Sequence, residues 1–143
     1  MSFSKPDVEK LFDDFSDALL EQDFARAASW CDTPCTIIRP TGPLLCDAPA
    51  QAAEDIKIIW DSYRDFGICG VRKHILDVRS YTEGLALVDV EWRLVDRDGR
   101  SAIRIHSTYG LRRDGAALKV MLIVSHDELF QRPVHGRAEA ASG

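Results

Sequence analysis

The stretch VRKHILDVRSYTEGLALVDVEWRLVDRDGRSAIRIHSTYGLRRDGAALKVMLIVS, residues 71–125, decides the fold. Its apolar residues alternate with polar ones at a period of two, the pattern of half-buried strands. Turn signals at Thr82-Glu83-Gly84, Asp98-Gly99 and Asp114-Gly115 divide it. The spacing predicts four long strands, at 71–81, 85–97, 100–113 and 116–127, in an antiparallel meander.

Turn positions set register, and register assigns faces. With Asp98-Gly99 as a hairpin tip, Leu94 opposes Ile103, Trp92 opposes Ile105, Val90 opposes Ser107 and Val88 opposes Tyr109. With Asp114-Gly115 as the next tip, Leu111 opposes Leu118, Tyr109 opposes Val120, Ser107 opposes Leu122 and Ile103 opposes His126. A three-residue first loop sets Val78 against Val88, Leu76 against Val90 and His74 against Trp92. One face then collects the apolar residues, Leu76, Val124 and Leu122 among them, and must lie under helices. Its polar members are His74, Ser80, Ser107, Tyr109 and His126. A buried polar group without a hydrogen bond costs about 1–3 kcal/mol, so these five are either satisfied in the core or line a cavity. The other face carries Lys73, Asp77, Asp89, Glu91, Arg93, Arg104 and His106, together with Ile75, Leu87, Met121 and Ile123. It reads as a solvated face or, through its apolar members, as a homodimer interface.

Working outward, three helices precede the meander. Ser4 caps the first, Pro6 sits in its first turn, and Val8, Leu11, Phe12, Phe15, Ala18 and Leu19 form one apolar stripe. Asp23 opens a short second helix running to Trp30. Asp47 and Pro49 open a third, with Ala52, Ile56, Ile59, Trp60, Tyr63 and Phe66 on its apolar side and Gly67 as its stop. Between the second and third lies a small hairpin, TIIR and PLLC, turned by Pro40, Thr41 and Gly42. The sum is an α+β fold in which two short and four long strands form a curved sheet around three N-terminal helices. A single domain over residues 1–130 and a disordered tail over 131–143 are expected.

At 143 residues the chain suffices for one core, and no apolar run reaches the ~20 residues of a membrane span. The start, MSFSKPDVEK, has no signal-peptide pattern, so a cytoplasmic location is expected. A net charge of −5 and dispersed basic residues argue against a nucleic-acid partner. Cys31, Cys35, Cys46 and Cys69 lack zinc-site spacing and read as small apolar fillers. No metal and no cofactor are expected.

The stretch FDDFSDALLEQDFARAASWCDTPCTIIRPTG, the third helix and the meander closing in LKVMLIVSHDEL together resemble the NTF2-like superfamily, in particular its SnoaL-like and ketosteroid-isomerase-like branches. The resemblance spans residues 5–130 and implies a cone-shaped, cystatin-like fold with an apolar cavity, often in homodimers. The isomerase branch places a tyrosine, a general-base aspartate and a protonated aspartic acid where this chain has Phe15, Arg39 and Tyr109. Arginine stays charged at any usable pH and cannot act as that base. The resemblance therefore excludes ketosteroid-isomerase chemistry.

Two functions follow from this reading. The first is binding of a small organic molecule in the cavity, an acidic one if Arg39 faces inward rather than pairing with an acid such as Asp32. Arg39, Phe15, Trp92, Ser107, Trp60 and Tyr63 are the candidate ligand-binding residues. The second is acid–base lyase or isomerase chemistry in the manner of SnoaL-like proteins and dehydratases, with His126, Tyr109 and His74 as candidate catalytic residues. The discriminating observation is whether a His, Asp or Glu projects into the cavity.

Overall fold

The computed structural model describes residues 3–126. In chain order the elements are α1 (Lys5–Leu20), α2 (Phe24–Ala28), β1 (Cys31–Arg39), β2 (Gly42–Cys46), α3 (Pro49–Asp65), β3 (Ile68–Thr82), β4 (Leu85–Asp96), β5 (Ser101–Asp114) and β6 (Ala117–Ser125). The six strands form one curved, unclosed sheet in the order β2-β1-β6-β5-β4-β3. All neighbours are antiparallel except β1 and β6, which run parallel. The α+β layout predicted from periodicity is the one observed. The expected domain end at 130 and the tail from 131 lie outside the described residues.

Local chemistry sets the helix ends. The Ser4 Oγ accepts from the Asp7 backbone N–H at 3.3 Å, satisfying one orphan donor of α1. Asp23 does the same for α2 through the Arg26 N–H at 3.1 Å. Pro49 begins α3, while Ala48 occupies the cap position and offers no side-chain bond, so Asp47 is not the cap. Gly67, at φ 88°, reverses the chain into β3. Val8, Phe12, Ala18 and Leu19 of α1 and Ala52, Trp60 and Tyr63 of α3 turn inward, covering one face of the sheet.

The β4–β5 register is as predicted: Leu94 faces Ile103, Trp92 faces Ile105, Val90 faces Ser107 and Val88 faces Tyr109. Val78 also meets Val88 as expected. Two irregularities depart from the prediction. The first, between Ile75 and Asp77, pairs Ile75 with Val90, His74 with Glu91 and Lys73 with Trp92. An extra residue in one strand flips every side chain beyond it. Ile75 is therefore buried, Leu76 is exposed, and Lys73 reaches from the covered face to Asp13 of α1 at 2.6 Å. The second follows from a hairpin tip at Gly115-Ala116 rather than Asp114-Gly115, with a further shift between Gly110 and Leu111. Ser107 consequently faces Ser125, Tyr109 faces Ile123 and Gly110 faces Leu122. Leu122 and Val124 leave the covered face, and Ile123 and Ser125 enter it. Gly110 permits this close crossing, since a Cβ there would meet the Leu122 Cβ at 2.9 Å.

Candidate functional site

The helices and the concave face of the sheet enclose a cavity of about 140 Å³. Its wall is chiefly aromatic: Phe15 from α1, Trp30 after α2, Trp60 and Tyr63 from α3, and Trp92 and Tyr109 from the meander. Phe15 and Trp30 stack with centroids 4.2 Å apart, and Trp30 meets Tyr109 edge-on at 5.3 Å. Such contacts fix ring orientations as well as burying area.

A few polar groups interrupt this wall. Arg39 lies at the end of β1, on the side shared with Cys35 and Ile37, and all three line the cavity. Its Nε donates to the Gly42 carbonyl at 3.0 Å across the hairpin, which anchors the guanidinium plane. Asp32, the acid considered as its partner, is instead taken by Arg112 of β5. The Arg112 guanidinium holds the Asp32 carboxyl below the usual carboxylate range. Trp92 Nε1 donates to the Tyr109 hydroxyl at 2.7 Å. Burial pushes the Tyr109 phenol well above its ordinary range despite that bond, so it remains a protonated donor. Trp30 Nε1 and Ser125 Oγ are buried in the cavity wall and have no hydrogen-bond partner among the described residues.

Of the residues singled out from sequence, Arg39, Phe15, Trp92, Trp60, Tyr63 and Tyr109 come together on this wall. Three do not. The irregularity after Ile75 turns His74 to the open face, opposite Glu91. His126 also lies on the open face, its ring stacked on His106 at 4.4 Å and its Nε2 2.9 Å from the Thr108 Oγ1. That hydroxyl in turn donates to Asp89 at 2.6 Å. Both histidines were assigned inward by a register counted without the irregularities. Ser107 is fully buried and packs by the Tyr109 hydroxyl without joining the cavity wall.

Sequence reasoning missed one acid. Asp55 of α3 is 7% exposed and lines the cavity. Its signal was available: residues 52, 55, 56, 59, 60 and 63 follow helical spacing, and Asp55 is the one charged residue in that stripe. Cys31, Cys35 and Cys46 also line the cavity, whereas their spacing had suggested plain core filling. No cluster of three or more His, Cys, Asp or Glu suited to a metal occurs among the described residues.

Comparison with known proteins agrees with this architecture. The sequence matches a family described as NTF2-like protein (DUF6841) over residues 5–128. The chain is an NTF2-like protein. No match is found among curated proteins. Among solved structures, the NTF2-like chain is similar to a cystatin-like-fold domain of unknown function from Nostoc punctiforme. That likeness has a TM-score of 0.67 at 13% identity, covering 86% of this chain and 78% of that one. It is also similar to an NTF-2-like protein of unknown function from Shewanella oneidensis, with a TM-score of 0.65 at 14% identity over 85% and 98% of the two chains. A ketosteroid isomerase-like protein from Erwinia carotovora atroseptica gives a TM-score of 0.58 at 12% identity over 87% and 99%. At such identities the likeness concerns the fold alone. The three positions compared with the isomerase branch, Phe15, Arg39 and Tyr109, all line the cavity of this NTF2-like chain, carrying different chemistry.

Proposed function

We propose that this NTF2-like protein binds a small aromatic carboxylate in its cavity. The observation that supports this most is Arg39. Its guanidinium is anchored through Nε, and the rest of its fork has no partner among the described residues. A planar fork of this kind suits a carboxylate, to which it can donate two parallel bonds. The aromatic wall favours a flat ring, and Trp30 Nε1 and Ser125 Oγ offer two more polar contacts. Titration calorimetry with naphthoate and its uncharged analogue naphthalenemethanol tests the reading. The wild type should prefer naphthoate by roughly tenfold or more, the equivalent of one charge-assisted hydrogen bond. Arg39→Gln should erase that preference while leaving the alcohol's affinity unchanged. Equal binding of both probes by the wild type would refute the proposal.

Asp55 favours a second reading, acid–base lyase or isomerase chemistry with Asp55 in the role that the sequence had given to histidine. Its carboxyl shares the cavity with the protonated Tyr109 hydroxyl, a suitable donor to a substrate carbonyl. Wash-in of solvent deuterium beside the carbonyl of cyclohexenone, followed by NMR, checks this. Wild type should catalyse it and Asp55→Asn should not; a wild type no faster than buffer removes the reading.

We propose further that two copies pair through the open face of the sheet. Ile38 and Leu45 are exposed there, 43% and 48% respectively, alongside the outward-turned Leu122 and Val124. Light scattering that returns only a monomer mass across a concentration series would dismiss the dimer.

A further inference from the structure

In a regular strand, residues four apart lie ~13 Å apart along the chain. Cys31 and Cys35 escape that separation because β1 is irregular between Cys31 and Thr36. Cys31 stands opposite Val120 and Thr36 opposite Leu122, so five steps of β1 pass over two steps of β6. Two strand steps span only roughly 6–7 Å, so Cys31 and Thr36 are drawn together, and Cys35 beside Thr36 comes toward the ~4.4–6.8 Å between Cα atoms that a disulfide accepts. The surplus residues 32–34 are taken up in this irregular stretch, and the ion pair between Asp32 and Arg112 pins it to β5. Cys31 and Cys35 thus share one stretch of the cavity wall, with their thiols close enough to interact.

Each thiol in the cavity wall has a different role. The Cys46 Sγ points to the Ala48 carbonyl at 3.8 Å, a donor's position. For Cys31 the neighbouring Cys35 thiol, together with burial, pushes the thiol far up. The Cys31 thiol in turn lowers the Cys35 thiol against the opposing effects of burial and Asp32. Cys35 is thus the one of this pair that more readily becomes a thiolate, the nucleophilic form of cysteine. Cys35 is 1% exposed to bulk solvent but lines the cavity, so a reagent that enters the cavity reaches it.

We propose that Cys35 and Cys31 form a dithiol site within the cavity that reacts with an organic hydroperoxide and closes to an intramolecular disulfide. In the first step the Cys35 thiolate attacks the terminal oxygen of ROOH. The O–O bond breaks, the alkoxide takes a proton to leave as ROH, and Cys35 becomes a sulfenic acid. In the second step the Cys31 sulfur attacks the Cys35 sulfur. The S–S bond forms, the S–O bond breaks, and hydroxide leaves with the Cys31 proton as water. Two thiols are oxidised by two electrons, and the hydroperoxide is reduced to alcohol and water. The apolar wall favours an organic hydroperoxide over hydrogen peroxide, and the neighbouring Cys31 diverts the sulfenic acid from over-oxidation.

Cumene hydroperoxide added to the full chain tests this. Of the four thiols, two should be lost per chain, and the intact mass should fall by two hydrogens. Digestion before aspartate puts Cys31 on the fragment 23–31 and Cys35 with Cys46 on 32–46. The expected bond joins these fragments and persists in Cys46→Ser, whereas a Cys35–Cys46 bond would lie inside the second. Cys31→Ser should stop at a Cys35 sulfenic acid that dimedone traps, and Cys35→Ser should give neither product. Tandem mass spectrometry of the joined wild-type fragments assigns the bond to Cys35 or to Cys46 without any variant, so misfolding of a substituted chain does not obscure the result, and a Cys31–Cys46 bond would refute the pairing. Retention of all four thiols, a Cys35–Cys46 bond, or a bond between two chains through the exposed Cys69 would each overturn the proposal.

Discussion

At the scale of single residues, the bond between Trp92 and Tyr109 governs the deepest polar pair of the core. Both rings are nearly solvent-free, and the indole N–H finds its acceptor in the phenol oxygen. Tyr109→Phe keeps the ring contacts with Phe12 and Trp30 but strands the indole donor. The cost should be about 1–3 kcal/mol, read as a lower urea midpoint with an unchanged slope. Trp92→Phe combined with Tyr109→Phe should lose less than the sum of the single changes, because no donor is then left unpaired. An additive result would mean that the bond contributes little. Arg39 shows how far a single residue can be read from sequence. Its charge excluded a base from the primary structure alone, but its direction depended on the hairpin, where its Nε bonds the Gly42 carbonyl.

Elements were legible where turn chemistry fixes them and obscure where strands carry an extra residue. The Asp98-Gly99 turn gave the β4–β5 register correctly from Leu94 back to Val88. The irregularities after Ile75 and at Gly110 leave no comparable mark, because both strands remain alternating on either side of them. A shift of one residue was enough to move His74 and His126 from the presumed site to the opposite face. The irregular stretch within β1 belongs to the same class, and its pin can be tested by pH. Asp32 has a depressed folded-state pKa, so its pairing with Arg112 stabilises the fold above the unfolded-state value of about 3.9 and is lost as pH falls through the folded value. The melting temperatures of wild type and Asp32→Asn should therefore differ by a constant amount from pH 7 to pH 5. Below about pH 4 the difference should shrink toward zero. A difference that persists undiminished in acid would show that the carboxylate's charge is not what holds this stretch.

For the whole molecule, the arrangement of layers explains why a cavity exists. The sheet curves around the helices, and aromatic side chains line the remaining space between rather than close it. Its construction is distributed: α1, α3, β1, β2, the meander and the turn after α2 each contribute to the wall. The cone itself was therefore readable from element order and Asp55 from helical spacing, whereas the thiols became site residues only once distant elements were assembled. A cavity kept open for a ligand implies a trade between stability and binding. Ala52 of α3 is small, 3% exposed and on the wall. Ala52→Leu would project extra methyl and methylene groups into that space, each worth ~0.8 kcal/mol when buried without strain. The variant should melt at or above the wild-type temperature while binding naphthoate at least roughly tenfold more weakly, a loss of ~1.4 kcal/mol. A lower melting temperature with unchanged naphthoate affinity would indicate that the ligand binds elsewhere and that this space is ordinary core. Differential scanning calorimetry and titration calorimetry on one preparation decide between the two outcomes, because binding space and packing space predict different results for both quantities.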